Sequence, residues 1–480
     1  MAHHDILIIG AGVTGAAIAR RLCRYDLKIT LLEKEADVSF GTSKANSGII
    51  HAGFHAKPDT LKAQLSVKGN ALFDSLTREL NVPFRRCGEL VVAFTNEEML
   101  EVENLYSQGL ENGVNYLEII GRERLRELEP NISEDAYGAL YAPTAGIIEP
   151  YEYCFALVEN AVKNGVELFT STPVTSIRKG TNGISVFSGK RLFQAQFVVN
   201  AAGVFADEIS RMAGAEEFRI RPRKGEEYVL DKRAGKLVSH IIFPVPQPQS
   251  KGILIIPTVD GTMMIGPTAK DVDDKHDLTT SREGLEQILQ HAQKMVPGIR
   301  SKDIITSFAG LRPAAEGEDF IIGMSDKLPG FIQAAGIQSP GLTASPAIAE
   351  KIHDVLLDDG LRLTEKTNYM PELKKRVKIR ELTPEQIEQV LRQRADYGRV
   401  VCRCEEISEG EVVDAIDSGH STMDAIKFAT RAGMGRCQGG FCTFRVMHIL
   451  HQITGVPLEK ITKSGAGSEI LARKIFEEAP

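Results

Sequence analysis

The sequence predicts an α/β fold with a second, antiparallel sheet inserted into it and a small, mainly helical domain after it. Three observations carry this. A short apolar strand at the N-terminus runs into a glycine-spaced turn and an alanine-rich helix. β-like runs separate it from later strand–turn–helix corners. Four cysteines gather beyond residue 400 in a chain that has only three before them.

The N-terminal stretch "DILIIGAGVTGAAIARRLCRYDLKITLLEKE" has the parts of a dinucleotide site. Ile6–Ile9 reads as a buried parallel strand. Gly10, Gly12 and Gly15 form G-x-G-x-x-G: Gly10 for the tight turn, Gly12 for close approach of the backbone to a pyrophosphate, Gly15 for helix–strand packing. Ala16, Ala17 and Ala19 keep the helix near the sheet. The strand Ile29–Leu32 then ends at Glu33, placed to accept hydrogen bonds from ribose hydroxyls. The domain is therefore Rossmann-like. Two further corners favour a flavin over a nicotinamide: "QFVVNAAGVFADEI", ending at Ala201, Ala202 and Gly203, and "GFIQAAGIQSPGLTASPAIAEKI", with a helix starting near Gly341–Thr343. A helix N-terminus there can stabilise negative charge on a reduced flavin ring.

The bulk numbers agree with such a chain. Its 480 residues exceed one core, so two or three domains are expected. A net charge of −7 argues against nucleic acid as a partner. The start has no basic region or cleavage pattern of a signal peptide, and no run of eighteen or more apolar residues occurs. Seven cysteines then read as reduced thiols in the cytoplasm, with peripheral contact at the inner membrane face left open.

Between the corners, 83–95 and 219–310 contain β-like runs (Glu227–Leu230, Gly252–Pro257, Thr262–Gly266), read as an antiparallel sheet over the flavin. Helices are expected near 96–112 and 281–295. After Leu363 a charged connector leads to a helix from about Pro384, capped by Thr383. "SEGEVVDAIDSG" has a Ser408 cap, Glu411 three residues later and a closing glycine, and "TMDAIKFATRAG" repeats the form. The expected ranges are 1–82, 146–215 and 311–365 for the FAD-binding domain, 83–145 and 216–310 for the substrate domain, 366–398 for a linker, and 399–480 for the cysteine domain with its tail.

The four thiols are Cys402 and Cys404 in "CRC", then 32 residues, then Cys437 and Cys442 in "CQGGFC". Disulfides do not suit a reducing compartment. Zinc would take four thiolates, but zinc knuckles prefer C-x2-C and neither pair has it. A [2Fe–2S] cluster also takes four cysteines, and Gly433, Gly435, Gly439 and Gly440 would let backbone N–H groups approach its sulfurs. Cys23, Cys87 and Cys154 read as small buried hydrophobes.

With these residues in view, the N-terminal fingerprint, "NAAG" and "SPGLTASPAIAEKI" resemble the FAD-dependent oxidoreductases of the D-amino-acid-oxidase superfamily. Within it, "GTSKANSGIIHAGF", "SFAGLRPA", "EDFIIG" and "GIQSPGLTASPAIA" resemble soluble glycerol-3-phosphate oxidases. The first of these stretches, "HIIFPVPQP" and "GTMMIGPTA" also resemble L-2-hydroxyglutarate oxidases. The likeness covers about residues 4–365. The C-terminal "CRCEEISEGEV" and "TRAGMGRCQGGFC" resemble the end of the anaerobic glycerol-3-phosphate dehydrogenase catalytic subunit and the bacterioferritin-associated ferredoxin domain, which carries a [2Fe–2S] cluster.

The resemblance implies noncovalent FAD, held through Gly10, Gly12, Gly15, Glu33, Lys34, Thr42, Ser43, Asn46, Gly48, Val174, Ala202, Gly203, Gly341, Leu342 and Thr343. It makes His51 the base that takes the hydroxyl proton, with Ser47 beside it, and Arg312 the cation for the substrate anion, as a near-neutral base and a bidentate guanidinium would serve. His55 reads as a bystander, and Gly225 as a place where the chain runs close to the ring. Of Arg221, Arg223 and Lys224, some could line the pocket, though a basic run is more often a solvated face. The membrane-type and anaerobic dehydrogenases carry a lysine at the last flavin corner; here Ser339 and Thr343 stand instead, as in the soluble oxidases. The expectation is oxidation of glycerol 3-phosphate, with electrons leaving through the cluster to a protein or subunit acceptor. L-2-hydroxyglutarate or another 2-hydroxy acid is the nearest alternative, an amine oxidase a weaker one, and a non-catalytic flavin and iron–sulfur electron carrier the alternative of another class.

Overall fold

In the computed structural model, the first apolar run becomes the centre of a sheet because nothing polar interrupts it: Ile6, Leu7 and Ile8 have no exposed surface. Residues 3–180, 183–246 and 252–472 are described; the end of "HIIFPVPQP" and the extreme ends of the two outer expected ranges lie outside them. The chain falls into two compact units, one of 1–34 with 38–373, the other of 35–37 with 374–480. Among the described residues, no helix is long and apolar enough to cross a membrane.

In chain order, the elements that position the site in the first unit are β1 (His3–Ile9), α1 (Val13–Leu22), β2 (Ile29–Leu32), α2 (Leu61–Leu80), β3 (Glu89–Ala93), β4 (Arg191–Asn200), β5 (Ile220–Leu230), β6 (Ile304–Ala315), β7 (Phe331–Ala335) and α3 (Gly341–Asp358). β2 and α3 start where the sequence reading puts them. β1 pairs in parallel with β2 and β4, and β4 in parallel with β7. The strand Glu167–Phe169, parallel to β2, and the antiparallel strands Ser176–Gly180, Gly183–Ser188 and Ile321–Met324 complete this eight-stranded sheet. α1 packs against α3 and against the helix Pro150–Lys163, as its small residues allow.

The second sheet has nine strands, and in it β5 pairs with β6 from Ile220–Ala315 through Leu230–Ile304. The expected runs are there as β3, β5, Leu254–Pro257 and Met263–Gly266, and the two expected helices run Asn96–Glu111 and Arg282–Met295. One expectation is corrected. The sheet is antiparallel except at a seam, where Ile241–Pro244 lies parallel to β3. The seam joins two segments far apart in the chain, so no tight hairpin forces the antiparallel sense there.

In the second unit, the helices are α4 (Pro384–Gln393), α5 (Glu409–Asp417), α6 (Met423–Thr430) and α7 (Thr443–Thr454). Thr383 with Gln386 and Ser408 with Glu411 form reciprocal capping boxes, each satisfying two otherwise unpaired N–H groups. α6 does not repeat the glycine ending of α5: Arg431, at φ 73°, takes the left-handed position. Its Nε donates to the buried Glu405 at 3.1 Å, an ion pair that offsets the strain of that conformation. Val401, Ile407, Val412, Ile416, Ile426, Val446 and Leu450 form the core of this unit together with Cys402 and Cys442.

Candidate active site and cysteine centre

The glycine turn is built as its spacing requires. Gly10 has φ +102°, and a Cβ on it would stand 2.5 Å from the Ala201 carbonyl oxygen. A Cβ on Gly15 would fall on the Gly10 carbonyl oxygen. Over Gly12, the N-cap of α1, the nearest atom is Ser43 Oγ at 3.1 Å, and Gly12 has no side chain of its own to cap the helix. A helix start with glycine at its cap lets a pyrophosphate approach the backbone closely. Glu33 is buried at the end of β2, its Oε2 accepting the Ala11 N–H at 2.8 Å. α3 likewise begins at Gly341 with no side-chain cap.

The loop after β2 is tied down by short bonds. Val13 N–H donates to Ser43 Oγ at 2.8 Å, and Thr42 Oγ1 to the Leu311 carbonyl at 2.6 Å. Asn46 donates to the Thr42 and Ser43 carbonyls and accepts from Gly48 N–H. Gly48, at φ +64°, lies where a Cβ would meet the Ile148 carbonyl. Lys34 rests over the Phe205 ring, in the short turn Gly203–Phe205 that follows Ala202. Val174 and Ala202 pack on the core beneath the sheet, and Leu342 sits in the first turn of α3.

That loop lies on the β5–β6 face. Gly310 stands opposite Gly225, and a Cβ on Gly310 would fall on the Ala45 carbonyl. Two residues further, the Ser47 hydroxyl donates to Glu227 Oε1 at 3.0 Å. His51 follows, buried. Its N–H donates to Thr343 Oγ1 at 2.9 Å, its Nδ1 lies 3.3 Å from Glu89 Oε2, and its Nε2 lies 3.5 Å from Ser339 Oγ. Thr343 in turn donates to the Ile49 carbonyl, so its hydroxyl positions the histidine loop. His55 packs on Phe54 and Phe243.

Arg312 reaches across the same face. Both terminal nitrogens approach the Thr268 carbonyl, at 3.4 and 3.3 Å. A Cβ on Gly225 would stand 2.5 Å from Arg312 Nη2, so this glycine makes room for the arginine. Burial lowers the Arg312 pKa and Glu227 raises it in part. Arg223 pairs with Asp271 and Glu318, and Lys224 with Asp277. Arg221 is exposed, so this basic run is spent on ion pairs and solvent.

Two acids of the site escape the sequence reading. Glu89, with no exposed surface, receives the Ala52 N–H at Oε1 and faces His51 with Oε2. Glu227 is pushed up to about 7 by burial, with Arg312 and Ser47 pulling the other way. The available signal was an acid inside an apolar strand, "GELVVA" and "GEEYVL".

The cysteines form two pairs. Cys404 Sγ lies 3.6 Å from Cys437 Sγ, and the Cys402 and Cys442 thiols share a hydrogen bond that pulls Cys402 down and pushes Cys442 up. Backbone N–H groups of Phe441, Gly439 and Gly440 reach Cys437, and that of Gly433 reaches Cys402. Gly435 lies so close to Cys404 that a Cβ would fall on the Cys404 Cβ. Among the described residues, no three metal-ligating side chains close on one point. Two separate thiol pairs ringed by N–H donors fit a two-iron cluster, with two thiolates for each iron, better than one tetrahedral zinc. Cys23 and Cys154 are buried, and burial pushes Cys23 and the half-buried Cys87 up to about 11, as inert thiols should be.

The fold and the glycine cradle define a flavin oxidoreductase, and the comparisons agree. Residues 5–354 match the model of the FAD dependent oxidoreductase family, and the chain belongs to that family. Residues 400–452 match the BFD-like [2Fe-2S] binding domain, so the cofactors are FAD and a [2Fe–2S] cluster. Glycerol 3-phosphate dehydrogenase of Caloramator mitchellensis is 46% identical over 97% of this chain and 98% of its own length. Mitochondrial L-2-hydroxyglutarate dehydrogenase of Nematostella vectensis is 29% identical over 73% of this chain and 90% of its own. Among solved structures, dithionite-reduced L-alpha-glycerophosphate oxidase of Mycoplasma pneumoniae with FAD bound has a TM-score of 0.74 and 31% identity, covering 78% of this chain and 99% of its own.

Proposed function

We propose that the chain oxidises glycerol 3-phosphate to dihydroxyacetone phosphate and passes the electrons singly to a protein or subunit acceptor. The observation that carries this is the buried His51, held at Nδ1 by Glu89, on the loop whose Ser47 binds Glu227 beside Arg312. When bound, FAD supplies the acceptor for a hydride from C2, and the [2Fe–2S] cluster supplies one-electron steps. His51 takes the C2 hydroxyl proton at Nε2, and the Glu89 carboxylate stabilises the imidazolium. Ser47 orients the substrate, and the planar Arg312 guanidinium holds the phosphate. The 46% identity to a glycerol 3-phosphate dehydrogenase supports the substrate.

FAD is held by Gly10, Gly12, Gly15 and Glu33, by Lys34, Thr42, Ser43, Asn46 and Gly48 on the following loop, and by Val174, Ala202, Gly203, Gly341, Leu342 and Thr343. Cys402, Cys404, Cys437 and Cys442 ligate the cluster. The FAD-binding domain takes 1–82, 146–215 and 311–365, the substrate domain 83–145 and 216–310, the linker 366–398 and the cluster domain 399–480. The protein works in the cytoplasm, where thiols stay reduced.

Anaerobic mixing with a panel of small substrates tests the reading. Glycerol 3-phosphate should bleach the flavin. Bleaching by L-2-hydroxyglutarate alone would move the substrate to the 2-hydroxy acids. No bleaching by any substrate, with ready reduction by a ferredoxin or NADH-linked partner, would make the chain an electron carrier.

A further inference from the structure

Glu227 is a charged group beside the site to which the reaction above gives no task. It is 3% exposed on β5. Its Oε1 accepts the Ser47 hydroxyl, while its Oε2 is buried with no hydrogen-bond partner. Buried acceptors in native proteins are paired almost without exception, and an isolated one marks a place where another molecule brings the donor. Arg312 is the opposite charge that acts on Glu227. Along the paired strands, Arg223 faces Arg312, Gly225 faces Gly310 and Glu227 faces Phe308. Between the arginine and the carboxylate the sheet thus carries a pair of glycines and no side chain. A cation and a buried acceptor without a hydrogen-bond partner stand on one face of the sheet.

We infer that Glu227 Oε2 accepts a hydrogen bond from a second hydroxyl of the substrate, and so selects polyol phosphates over dicarboxylic 2-hydroxy acids. The inference rests on the reading of Arg312 as the anion site. A hydroxyl next to the oxidised carbon has a proton to give this oxygen. A second carboxylate in its place has none at neutral pH and meets a like charge wherever Glu227 is ionised. Sites built to bond a hydroxyl reject analogues lacking it far more strongly than apolar pockets reject a missing methylene.

The test is a cycle between protein and ligand. Rates of anaerobic flavin reduction are compared for glycerol 3-phosphate and 2-hydroxypropyl phosphate, which lacks only the terminal hydroxyl, in the wild type and in Glu227→Ala. The wild type should prefer glycerol 3-phosphate by at least about 10- to 100-fold in kcat/KM, and the variant by less than about threefold. If Glu227→Ala fails to hold FAD, Glu227→Gln keeps the shape and removes the charge. In it, the preference for glycerol 3-phosphate over L-2-hydroxyglutarate should fall at least about fivefold. An unchanged preference, or an equal loss with every substrate as a merely structural residue would give, overturns the inference and leaves the proposed reaction standing. A wild type reduced by neither phosphate overturns the reaction itself, and the selection with it.

Discussion

His51 Nδ1 stands 3.3 Å from Glu89 Oε2, and the other oxygen of that carboxylate receives the N–H of the residue after the histidine, Ala52, at 2.9 Å. One buried acid therefore holds both the ring and the backbone beside it. With a carboxylate at Nδ1, a neutral imidazole keeps its proton there and leaves Nε2 as the acceptor. On the proposed reading, Glu89 is a positioning residue and His51 the base it serves.

Replacing His51 by Asn should abolish flavin reduction by glycerol 3-phosphate while FAD stays bound. Glu89→Gln should slow reduction about 100-fold with little change in KM, because the loss falls on orientation and on the imidazolium. Stopped-flow reduction measures both. A full rate in His51→Asn would remove the base assignment.

The Glu227 carboxyl gives a stability prediction with a definite sign. Its folded pKa is raised to about 7 by burial, above the ordinary carboxylate value. Between about pH 4 and 7 the folded protein binds more protons than the unfolded one, so this residue's contribution to stability falls as pH rises through that window. Glu227→Gln removes the effect. The stability of the variant relative to the wild type, followed by thermal melting, should rise between pH 5 and pH 8, by an amount of the order of 3 kcal/mol at most. An equal difference at both pH values would contradict it.

Gly15→Ala should yield protein without FAD or no soluble protein, since the added Cβ falls on the Gly10 carbonyl. Gly12→Ala meets only the Ser43 hydroxyl at 3.1 Å, so it should fold and bind FAD more weakly. Flavin absorbance per chain separates the two. Full flavin in Gly15→Ala would mean that the turn relaxes more than its packing implies.

Cys404→Ser should lose the cluster's absorbance and most of its iron while the flavin content is unchanged. Cys404 and Cys437 stand as one thiol pair, so Cys437→Ser should act alike. Two irons per chain retained in Cys404→Ser would show the ligand set to be wrong.

Much of this protein is written in short windows of its sequence. Gly10, Gly12 and Gly15, the run Ile6–Ile9, the caps Thr383 and Ser408 and the cysteine motifs "CRC" and "CQGGFC" are all read from neighbours a few residues away. Local sterics and periodicity act at that range, so the cofactor cradle and the helix starts were legible. Glu89 and Glu227 were not. Each sits in a strand where an acid reads as a solvent-facing position, and only tertiary contacts bury them: Glu227, where β5 pairs with β6, meets Ser47 of the loop after β2, and Glu89 on β3 meets His51 and Ala52. The contact of Gly225 with the Arg312 side chain, 87 residues away in sequence, was out of reach for the same reason. The parallel seam at β3 and the left-handed Arg431 held by Glu405 likewise arise from contacts between distant segments. The sequence by itself determined which cofactors the chain is built to hold. The tertiary structure decided which charges gather at the candidate site, because the pKa and partners of a buried acid depend on what the fold brings against it.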